Sequence, residues 1–461
     1  MLEAAASFPT GVPGLDRVLG GGLSHPCLVS IVGVPGAGKT VLASQILFHA
    51  ARQGLSVAVF TSRSEGSEQY LAHLAGFTFF DPALLGNTVR LYTLAGHLSD
   101  PSVSPIAAIA ATIRRTEAKL VLLDGFHGAE ELLSDSQNTP DILSALATQV
   151  RYLGATLLVT QADEVRNPAL HRDLIASDVI IGLDYGVRER RHQRLLDVVK
   201  HRGSAQWAGL HSYQIDSGGL RVFPRLVSYP TPPSRPARQT RAPFGLAALD
   251  RLLGGGLPDG ATLLAGTPGA GKTTLGLVWA MAEASPEAQT LFVTFGEQTD
   301  QLVQKAAVFG MDLAEERRRG AVTVLRIPPT DLNPDAVAAM ILAAVSSGQV
   351  ARLVIDELAL LLEDLADDGR AYLVALNQQL YGSGVTSLYL LEIPRGNVLD
   401  VQLSHIPVSV VADTVMAIQR DEWGGKMRNQ LAALRMRQST FDPTRHELVL
   451  EDGKVLVRPL G

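Results

Sequence analysis

The sequence predicts two tandem α/β domains, each built on a mostly parallel sheet that helices cover on both faces. Two observations predict this fold class. First, motifs of the first half return in the second half at a period of about 233 residues, which is far too long for a solenoid and indicates a duplicated domain. Second, short apolar runs alternate with longer helical patterns in each half, as in sheets that are buried on both faces.

Six apolar runs in each half are the predicted strands. The last runs of each half follow one another closely, and this hairpin-like spacing predicts an antiparallel extension at the C-terminal side of each domain. The runs of the first half are 28–32, 57–61, 120–124, 156–160, 179–183 and 195–200, and those of the second half are 262–265, 290–295, 353–356, 387–391, 414–418 and 430–435.

The repeated motifs also give the domain boundaries. The block at 10–23 returns at 244–257, and a proline-rich stretch lies between the two copies. Because proline cannot donate to a strand ladder and favours extended chain, this stretch is predicted to be a semi-rigid linker. The prediction is therefore domain 1 at 1–227, a linker at 228–241 and domain 2 at 242–461.

Composition and charge exclude several classes of protein. The chain has 461 residues, of which 46% are hydrophobic and 19% charged, so it is too apolar for disorder and long enough for two cores. Its net charge of −6 provides no global basic field, which makes a nucleic-acid partner unexpected. The single cysteine, Cys27, excludes an intrachain disulfide and a cysteine-based zinc cage.

The first residues lack the basic region and apolar stretch of a signal peptide. No apolar run approaches the ~20 residues that a membrane span needs. We therefore expect a soluble, cytoplasmic protein without a membrane partner.

Each half carries one copy of the pattern Gly-x-x-x-x-Gly-Lys-Thr directly after a predicted strand. Glycines let such a loop wrap a polyphosphate with its backbone N–H groups, and the helix that begins there adds a favourable dipole. The pattern predicts two nucleotide sites rather than two glycine-rich turns without a ligand. The candidate binding residues are Gly33, Pro35, Gly36, Ala37, Gly38, Lys39 and Thr40, and Gly266, Pro268, Gly269, Ala270, Gly271, Lys272 and Thr273.

The same pattern assigns roles to individual side chains. The lysines would reach the β- and γ-phosphates of ATP, and the hydroxyls of Thr40 and Thr273 would hold Mg²⁺. A carboxylate at the end of a nearby buried strand should help to position the metal, and Asp124 and Asp356 fit this role. A strand-end aspartate that merely caps the next turn is the alternative. An ungapped overlay of the two halves would instead put Glu357 opposite Asp124.

At this point the sequence resembles a known family. The block Thr-Gly-x-x-Gly-Leu-Asp-x-x-Leu-Gly-Gly-Gly-Leu, followed by the phosphate loop, is similar to the KaiC family of RecA-type P-loop ATPases. Both domains also end like that family, with basic pairs at Lys200 and Arg202 and at Arg435 and Arg437. The resemblance covers nearly the whole chain and implies two tandem RecA-like P-loop NTPase domains that use ATP and Mg²⁺.

The resemblance also implies a quaternary structure. The family forms hexameric rings with ATP between neighbouring subunits, and the basic pair of one subunit reaches the nucleotide of the next. Lys200, Arg202, Arg435 and Arg437 would then act in trans on the γ-phosphate, a role that suits cations. An exposed basic strand end without such a role is the alternative.

The departures from the family pattern concern catalysis. The family carries two glutamates after its second strand, and the first orients the attacking water. Domain 2 has Gly296 and Glu297 there, whereas domain 1 has Ser62-Arg63-Ser64 and no carboxylate before Glu65. Glu357 follows the strand aspartate, a position from which other P-loop ATPases position water, and it could replace the missing glutamate. The alternative is that Glu357 is a solvent-facing residue at the start of a helix. We expect domain 1 to bind ATP without hydrolysing it, and domain 2 to hydrolyse slowly through Glu297 or Glu357.

Three further features are weaker. The paired Ser-Thr phosphosite of the family should fall within 405–413, where only Ser409 bears a hydroxyl, so autokinase activity is not expected. Gln161 and Glu392 end the fourth predicted strands, where RecA-type folds place a γ-phosphate-sensing residue, although strand-end polar residues need no such role. The basic cluster at 188–194 is either a hairpin tip or a contact with a subunit or a nucleic acid.

Together these features predict an ATP-binding protein with slow hydrolysis mainly in domain 2 and nucleotide-dependent ring assembly in signalling or regulation. Two alternatives remain. One is a non-hydrolysing scaffold that ATP stabilises. The other is a RecA-like DNA-binding ATPase, which the acidic balance and the lack of a basic tail disfavour.

Overall fold

The computed structural model describes residues 6–61, 66–94, 105–125, 139–165, 174–188, 191–236, 240–393, 411–423, 425–437, 440–451 and 453–460. The chain divides into two compact units, Met1–Ser228 and Tyr229–Gly461. Each unit has its own sheet and its own core. No helix within the described ranges is both long enough and apolar enough to cross a membrane.

The described part of the first unit is built on a nine-stranded sheet with the order β11-β10-β9-β8-β3-β7-β6-β4-β5, beside a small antiparallel pair of β1 and β2. The strands from β5 to β8 in this order run parallel, and β9, β10 and β11 continue the sheet antiparallel. The bounds of β1 to β11 are Ala6–Phe8, Leu23–His25, Leu28–Gly33, Val57–Thr61, Val89–Thr93, Leu120–Asp124, Thr156–Ala162, Val179–Arg188, Arg191–His201, His211–Asp216 and Gly219–Phe223.

The second unit repeats this arrangement. Over its described residues a nine-stranded sheet has the order β14-β13-β15-β16-β12-β17-β18-β19-β20, parallel as far as β17 and antiparallel beyond it. The bounds of β12 to β20 are Ala261–Gly266, Gln289–Thr294, Val322–Arg326, Val350–Ile355, Thr386–Glu392, Thr414–Trp423, Lys426–Met436, His446–Glu451 and Lys454–Pro459.

Helices cover both sheets. The described α-helices of the first unit are Leu15–Val18, Lys39–Arg52, Ser67–Leu74, Pro105–Thr116 and Thr139–Tyr152. Those of the second unit are Ala247–Leu252, Lys272–Met281, Thr299–Val308, Leu313–Arg318, Pro334–Val345, Leu358–Leu365 and Gly369–Gly382. Short 3₁₀ turns occur at Pro82–Leu84, Leu226–Ser228, Pro329–Asp331 and Ala366–Asp368.

The parallel strands are buried on both faces, as their continuous apolar sequence predicts. In β6, Leu120 and Leu122 join the cluster that contains the helix Lys39–Arg52, while Val121 and Leu123 face the cluster under the helices Pro105–Thr116 and Thr139–Tyr152. Each helix that begins at a phosphate-loop lysine therefore packs on one face of its sheet. Its N-terminus is held at the carboxyl ends of the parallel strands, where α/β proteins bind ligands.

The aspartate of each repeated block has a structural role. The carboxylate of Asp16 accepts hydrogen bonds from the backbone N–H and the hydroxyl of Thr10, at 2.9 and 2.6 Å. Asp250 accepts one from the backbone N–H of Phe244 at 2.7 Å. These bonds hold the chain that enters each domain against the first turn, so the block builds a fixed approach to the first parallel strand.

Part of the proline-rich stretch is attached to the second unit. Arg235 forms an ion pair with Asp259 at 2.8 Å, and its guanidinium lies 4.3 Å from the ring centre of Tyr381. Gln379 donates a hydrogen bond to the carbonyl of Pro230 at 2.8 Å. Pro230 and Arg235 are therefore held against neighbouring residues of the second unit.

Candidate functional site

Both phosphate loops have the backbone that a polyphosphate needs. Gly36 and Gly38 have φ values of 81° and 95°, and Gly269 and Gly271 have values of 70° and 96°, a region that favours glycine. A Cβ at Gly271 would also lie 2.6 Å from the side chain of Leu450, so bulk is excluded there. The helices start directly at Lys39 and Lys272, which aims their free N–H groups at the loop. This cradle fits an ATP phosphate chain.

The two loop lysines have different partners. Lys39 Nζ donates to the carbonyls of Gly33 and Val34 at 2.8 and 3.0 Å. Burial lowers the pKa of Lys39, and Asp124 partly offsets this effect. Lys272 Nζ donates to the carbonyls of Gly266 and Thr267 at 3.1 and 2.9 Å, and it also lies 3.2 Å from Glu392 Oε2.

In the first unit, the metal-binding candidates Thr40 and Asp124 are in direct contact. The Thr40 hydroxyl lies 3.0 and 3.1 Å from the two carboxylate oxygens of Asp124, and the Thr160 hydroxyl lies 2.7 Å from Oδ1. A hydroxyl and a carboxylate at this spacing are the donor set that P-loop proteins offer to Mg²⁺, so the residues fit the metal. Thr160 is a positioning residue that the sequence patterns did not indicate.

Strand register supports the choice of Asp356 as the counterpart of Asp124. In the first sheet Thr61 lies opposite Asp124. In the second sheet Val293 lies opposite Ile355, and the backbone N–H of Asp356 donates to the carbonyl of Val293 at 2.8 Å. The residue that follows the aspartate is therefore Gly125 in the first unit and Glu357 in the second.

Burial raises the pKa of Asp356 to about 6. The Thr273 hydroxyl opposes this shift, and the carboxylates of Glu357 and Glu297 add to it. Two negative groups thus lie close to Asp356, which is a site that a cation would stabilise.

Glu357 occupies a strained backbone position. Its φ is 58°, in a region that L-residues rarely adopt, whereas Gly125 takes φ 78° at the matching place without strain. Its Oε2 atom is buried and has no hydrogen-bond partner among the described residues. A strained, unsatisfied carboxylate is costly for the fold, which points to a functional role.

Gly296 provides the space for this carboxylate. A Cβ at position 296 would lie 2.6 Å from Glu357 Oε1 and 2.8 Å from its Cδ. Since such approaches do not occur, the carboxylate of Glu357 stands where any side chain at 296 would begin. Gly296, which stands where the family has its first glutamate, and Glu357, which follows Asp356, therefore meet in space. The sequence does not reveal this contact.

Glu297 is engaged elsewhere. Its Oε1 forms an ion pair with Lys305, on the helix Thr299–Val308 that follows it. This contact holds the Glu297 carboxylate toward that helix. The two catalytic candidates of the second unit thus differ in their contacts. Glu357 has one oxygen without a hydrogen-bond partner among the described residues, whereas Glu297 is paired with Lys305.

The basic pairs lie far from the phosphate loop of their own unit. Lys200 is opposite Ile180 and Arg435 is opposite Val415, near the beginning of the parallel strands, whereas each loop follows their carboxyl ends. Lys200 donates to the carbonyl of Ile175 at 3.1 Å, and Arg435 to that of Ala412 at 2.7 Å. Neither pair can therefore serve its own nucleotide.

The flanking cations Arg202 and Arg437 lie at the same end of their sheets, where the parallel strands begin. Arg202 is 60% exposed and lies 3.9 Å from Asp178, and the backbone N–H of Arg437 donates to the carbonyl of Asp413 at 3.0 Å. An exposed guanidinium at the end of the sheet opposite the phosphate loop is accessible to another molecule.

Gln161 and Glu392, the two candidate γ-phosphate sensors, do not occupy equivalent positions in their sheets. Gln161 lies opposite Val32 and is buried, whereas Glu392 lies opposite Gly266, so its counterpart is Ala162, opposite Gly33. The shift of one residue turns the two side chains to opposite faces of their sheets.

Two expectations concern segments that the structure describes only in part or not at all. Ser62, Arg63, Ser64, Glu65 and Ser409 lie outside the described residues. Of the basic cluster, Arg188 and Arg191 pair at the hairpin of β8 and β9, and Arg194 donates to the carbonyl of Gly36 at 2.8 Å. Sequence patterns did not reveal that contact, since it depends on how β9 crosses the loop.

Comparison of the sequence with known proteins identifies a family that matches both halves of the chain. The family described as "ATPase: KaiC" matches the chain twice, at residues 8–227 and 242–461. The circadian clock oscillator protein KaiC of Picosynechococcus sp. is 23% identical over 479 residues, covering 99% of this chain and 90% of that protein. The protein of the same name from Synechococcus elongatus is 23% identical over 472 residues, covering 98% and 88%. The circadian clock protein KaiC3 of Synechocystis sp. is 24% identical over 474 residues, covering 97% and 91%.

Proposed function

Because this chain belongs to the KaiC family of ATPases, with one family domain at 8–227 (domain 1) and another at 242–461 (domain 2), we propose that it is an ATP-binding assembly protein with slow ATP hydrolysis mainly in domain 2. Each domain binds one Mg·ATP. Bound Mg²⁺ would supply charge compensation for the β- and γ-phosphates. Thr40 with Asp124, and Thr273 with Asp356, would hold the metal, while the loop N–H groups and lysines bind the phosphates.

One observation carries the assignment of hydrolysis to domain 2: the carboxylate of Glu357 beside Asp356, in the space that Gly296 leaves open. In the proposed step, Glu357 accepts a proton from a water molecule as the water oxygen bonds to the γ-phosphorus. The bond from that phosphorus to the β–γ bridging oxygen breaks, which gives ADP and phosphate. The Glu357 carboxylate takes the proton.

Domain 1 binds ATP without comparable turnover under this proposal. Gly125 stands where domain 2 has Glu357, and a hydrogen atom cannot accept a proton. The loss of a positioned base typically slows a reaction by ~10²–10⁴. The nucleotide in domain 1 would then mainly stabilise the assembled state.

The proposed assembly is a ring of six subunits, the number that the resemblance to the family implies. Lys200 with Arg202, and Arg435 with Arg437, lie at the edge opposite their own loops and would complete the site of a neighbouring copy. Since the relatives are named for a circadian clock, we propose a role in signalling or regulation in the cytoplasm. We do not propose autokinase activity, because 405–413 carries a single hydroxyl residue, Ser409.

Nucleotide stoichiometry tests the binding part of the proposal. Equilibrium dialysis with a non-hydrolysable ATP analogue and Mg²⁺ should give two sites per chain. Lys39→Ala and Lys272→Ala should each leave one. A single site in the unsubstituted protein would contradict two functional loops.

Assembly has its own test. A site that is completed in trans links ligand binding to association, so saturating analogue should convert smaller species to a ring in sedimentation velocity. Arg202→Ala together with Arg437→Ala should weaken this conversion while the number of bound nucleotides remains measurable. A monomer at micromolar protein and saturating analogue would contradict the ring. The non-hydrolysing scaffold differs from this proposal only in turnover, so ATPase measurement separates the two.

A further inference from the structure

The ammonium of Lys272 has three acceptors: two backbone carbonyls and the carboxylate of Glu392. A lysine ammonium has three N–H donors, so these contacts occupy all of them. Building on the proposed function of the loops, we propose that Glu392 competes with nucleotide phosphates for the loop lysine and makes domain 2 the weaker nucleotide site.

The fold holds Glu392 in this position. It is the last residue of β16 and lies opposite Gly266, the residue that ends β12 and begins the loop. Leu388 and Leu390, at alternate positions of the same strand, pack in the cluster that contains residues of the helix Lys272–Met281. Because side chains alternate along a strand, Glu392 faces the same side as that helix and its lysine.

Exposure differs strongly between the two partners. The side chain of Lys272 is 9% exposed, whereas that of Glu392 is 49% exposed. The buried ammonium depends on its few partners, but the carboxylate can turn to solvent when phosphates arrive. The contact is therefore a reversible competitor and not a block of the site.

Domain 1 lacks this competitor. Ala162 takes the position opposite Gly33, and an alanine side chain carries no charge. Lys39 donates to the two loop carbonyls, which are the same backbone acceptors that Lys272 uses. The strand-end residue is therefore one electrostatic difference between the sites, beside that of Glu357 against Gly125, and substitution at this one position tests it separately.

The expected effect follows from the cost of separating the pair. Phosphates that bind Lys272 must replace a carboxylate, which then remains close to their own negative charge. A half-exposed ion pair contributes little to the free energy, so the difference in affinity should be about two- to fivefold. Domain 1 should therefore bind the same nucleotide more tightly than domain 2.

The experiment uses full-length chains in which one loop is disabled. In the Lys39→Ala background, which leaves domain 2, the dissociation constant of a fluorescent non-hydrolysable ATP analogue is measured with Glu392, with Glu392→Ala and with Glu392→Gln. In the Lys272→Ala background, which leaves domain 1, Ala162→Glu is compared with Ala162. Circular dichroism checks that each variant is folded.

Both substitutions of Glu392 should tighten binding by about two- to fivefold, and Ala162→Glu should weaken it. Glu315→Ala, which removes an exposed carboxylate on the helix Leu313–Arg318 of domain 2, controls for net charge and should change nothing. Unchanged or weaker binding after Glu392→Ala would overturn the proposal, as would tightening by alanine but not by glutamine. If neither single-loop protein binds the analogue, the proposed function itself fails, which is a distinguishable outcome.

Discussion

Domain 1 and domain 2 have the same strand order, the same loop backbone and the same hydroxyl and aspartate pairs, yet they differ in negative charge at the ends of their strands. Where domain 2 has Glu357 and Glu392, domain 1 has Gly125 and Ala162. In the proposed function, the shared parts hold phosphates and metal. The differing parts are the groups that can take a proton or compete for a lysine.

Under the proposed function, this contrast divides binding and hydrolysis between two copies of one fold. Phosphate binding depends on backbone geometry, which the two sheets share because their order and register agree. In the proposed function, proton transfer depends on one carboxylate, that of Glu357, which domain 1 lacks. Domain 2 has a strained backbone at Glu357, and the Glu357 carboxylate fills the space that the absent side chain at Gly296 leaves.

The largest expected effect is that of Glu357→Gln. Turnover should fall by ~10²–10⁴ because the amide cannot accept the proton, while nucleotide binding remains. The measurement is steady-state phosphate release together with analogue binding. Glu297→Gln is the matched control, since that carboxylate is already paired with Lys305, and it should lower turnover by about threefold or less. The reverse order of the two effects would assign the base to Glu297.

Gly296→Ala should act on the same step without changing a charged residue. The new Cβ would displace the Glu357 carboxylate, and a displacement of this kind can cost about 10²-fold in rate. Gly66→Ala is the matched control, because a Cβ there meets no heavy atom within 4 Å. Equal turnover in the two variants would show that the space at 296 does not position Glu357.

Stability should change in opposite directions at the matching strand ends. Gly125→Ala forces a side chain into φ 78° and should destabilise domain 1 by about 1–2 kcal/mol. Glu357→Gly removes the same strain from domain 2 and should stabilise it by about 1 kcal/mol while turnover is lost. Denaturant titration of each full-length variant measures both values. A loss of stability in Glu357→Gly would argue that the backbone there is not strained.

The smallest expected effect is a loss of stability of domain 1 at acidic pH. His211 in domain 1 accepts from the backbone N–H of Arg225 through Nδ1 at 2.9 Å, and its Nε2 lies 3.1 Å from the carbonyl of Trp207, so the ring is held neutral. Burial lowers the pKa of His211. The unfolded chain therefore binds the proton more readily, and domain 1 should lose up to about 1.4 kcal/mol per pH unit as pH falls below ~6.5.

Hydrogen exchange at the core strands of each domain, corrected for the intrinsic pH dependence, measures this loss separately for the two domains. His211→Gln should remove part of the difference between pH 7 and pH 5.5, because burial also lowers the pKa of His25 and of His201 in the same domain. An unchanged pH dependence in that variant would assign the acid sensitivity to other groups.

Much of the fold was predictable because its signals are local. The strands at 28–32 and 353–356 are continuous apolar runs, and the structure contains them with small changes at their ends. The edge strands Val89–Thr93 and Val322–Arg326 were missed, since their outer residues are half-buried and polar residues interrupt the apolar pattern. The outer antiparallel strands were missed for the same reason.

The candidate site was predictable only where motif spacing determines it. The phosphate loops and Asp124 follow from the pattern, and register resolves Asp356 against Glu357. The contact of Gly296 with Glu357 joins two different strands, and the ion pair of Lys272 with Glu392 joins a helix start to a third. Contacts of this kind depend on strand order and pleat, which an isolated sequence does not specify.

The most direct test of the account compares ATP turnover in Lys39→Ala and Lys272→Ala, with analogue binding confirming that the other loop still works in each protein. The account predicts that Lys272→Ala abolishes most of the hydrolysis, while Lys39→Ala retains it and mainly weakens assembly. If Lys39→Ala removes most of the hydrolysis and Lys272→Ala leaves it intact, the assignment of catalysis to Glu357 and domain 2 is contradicted.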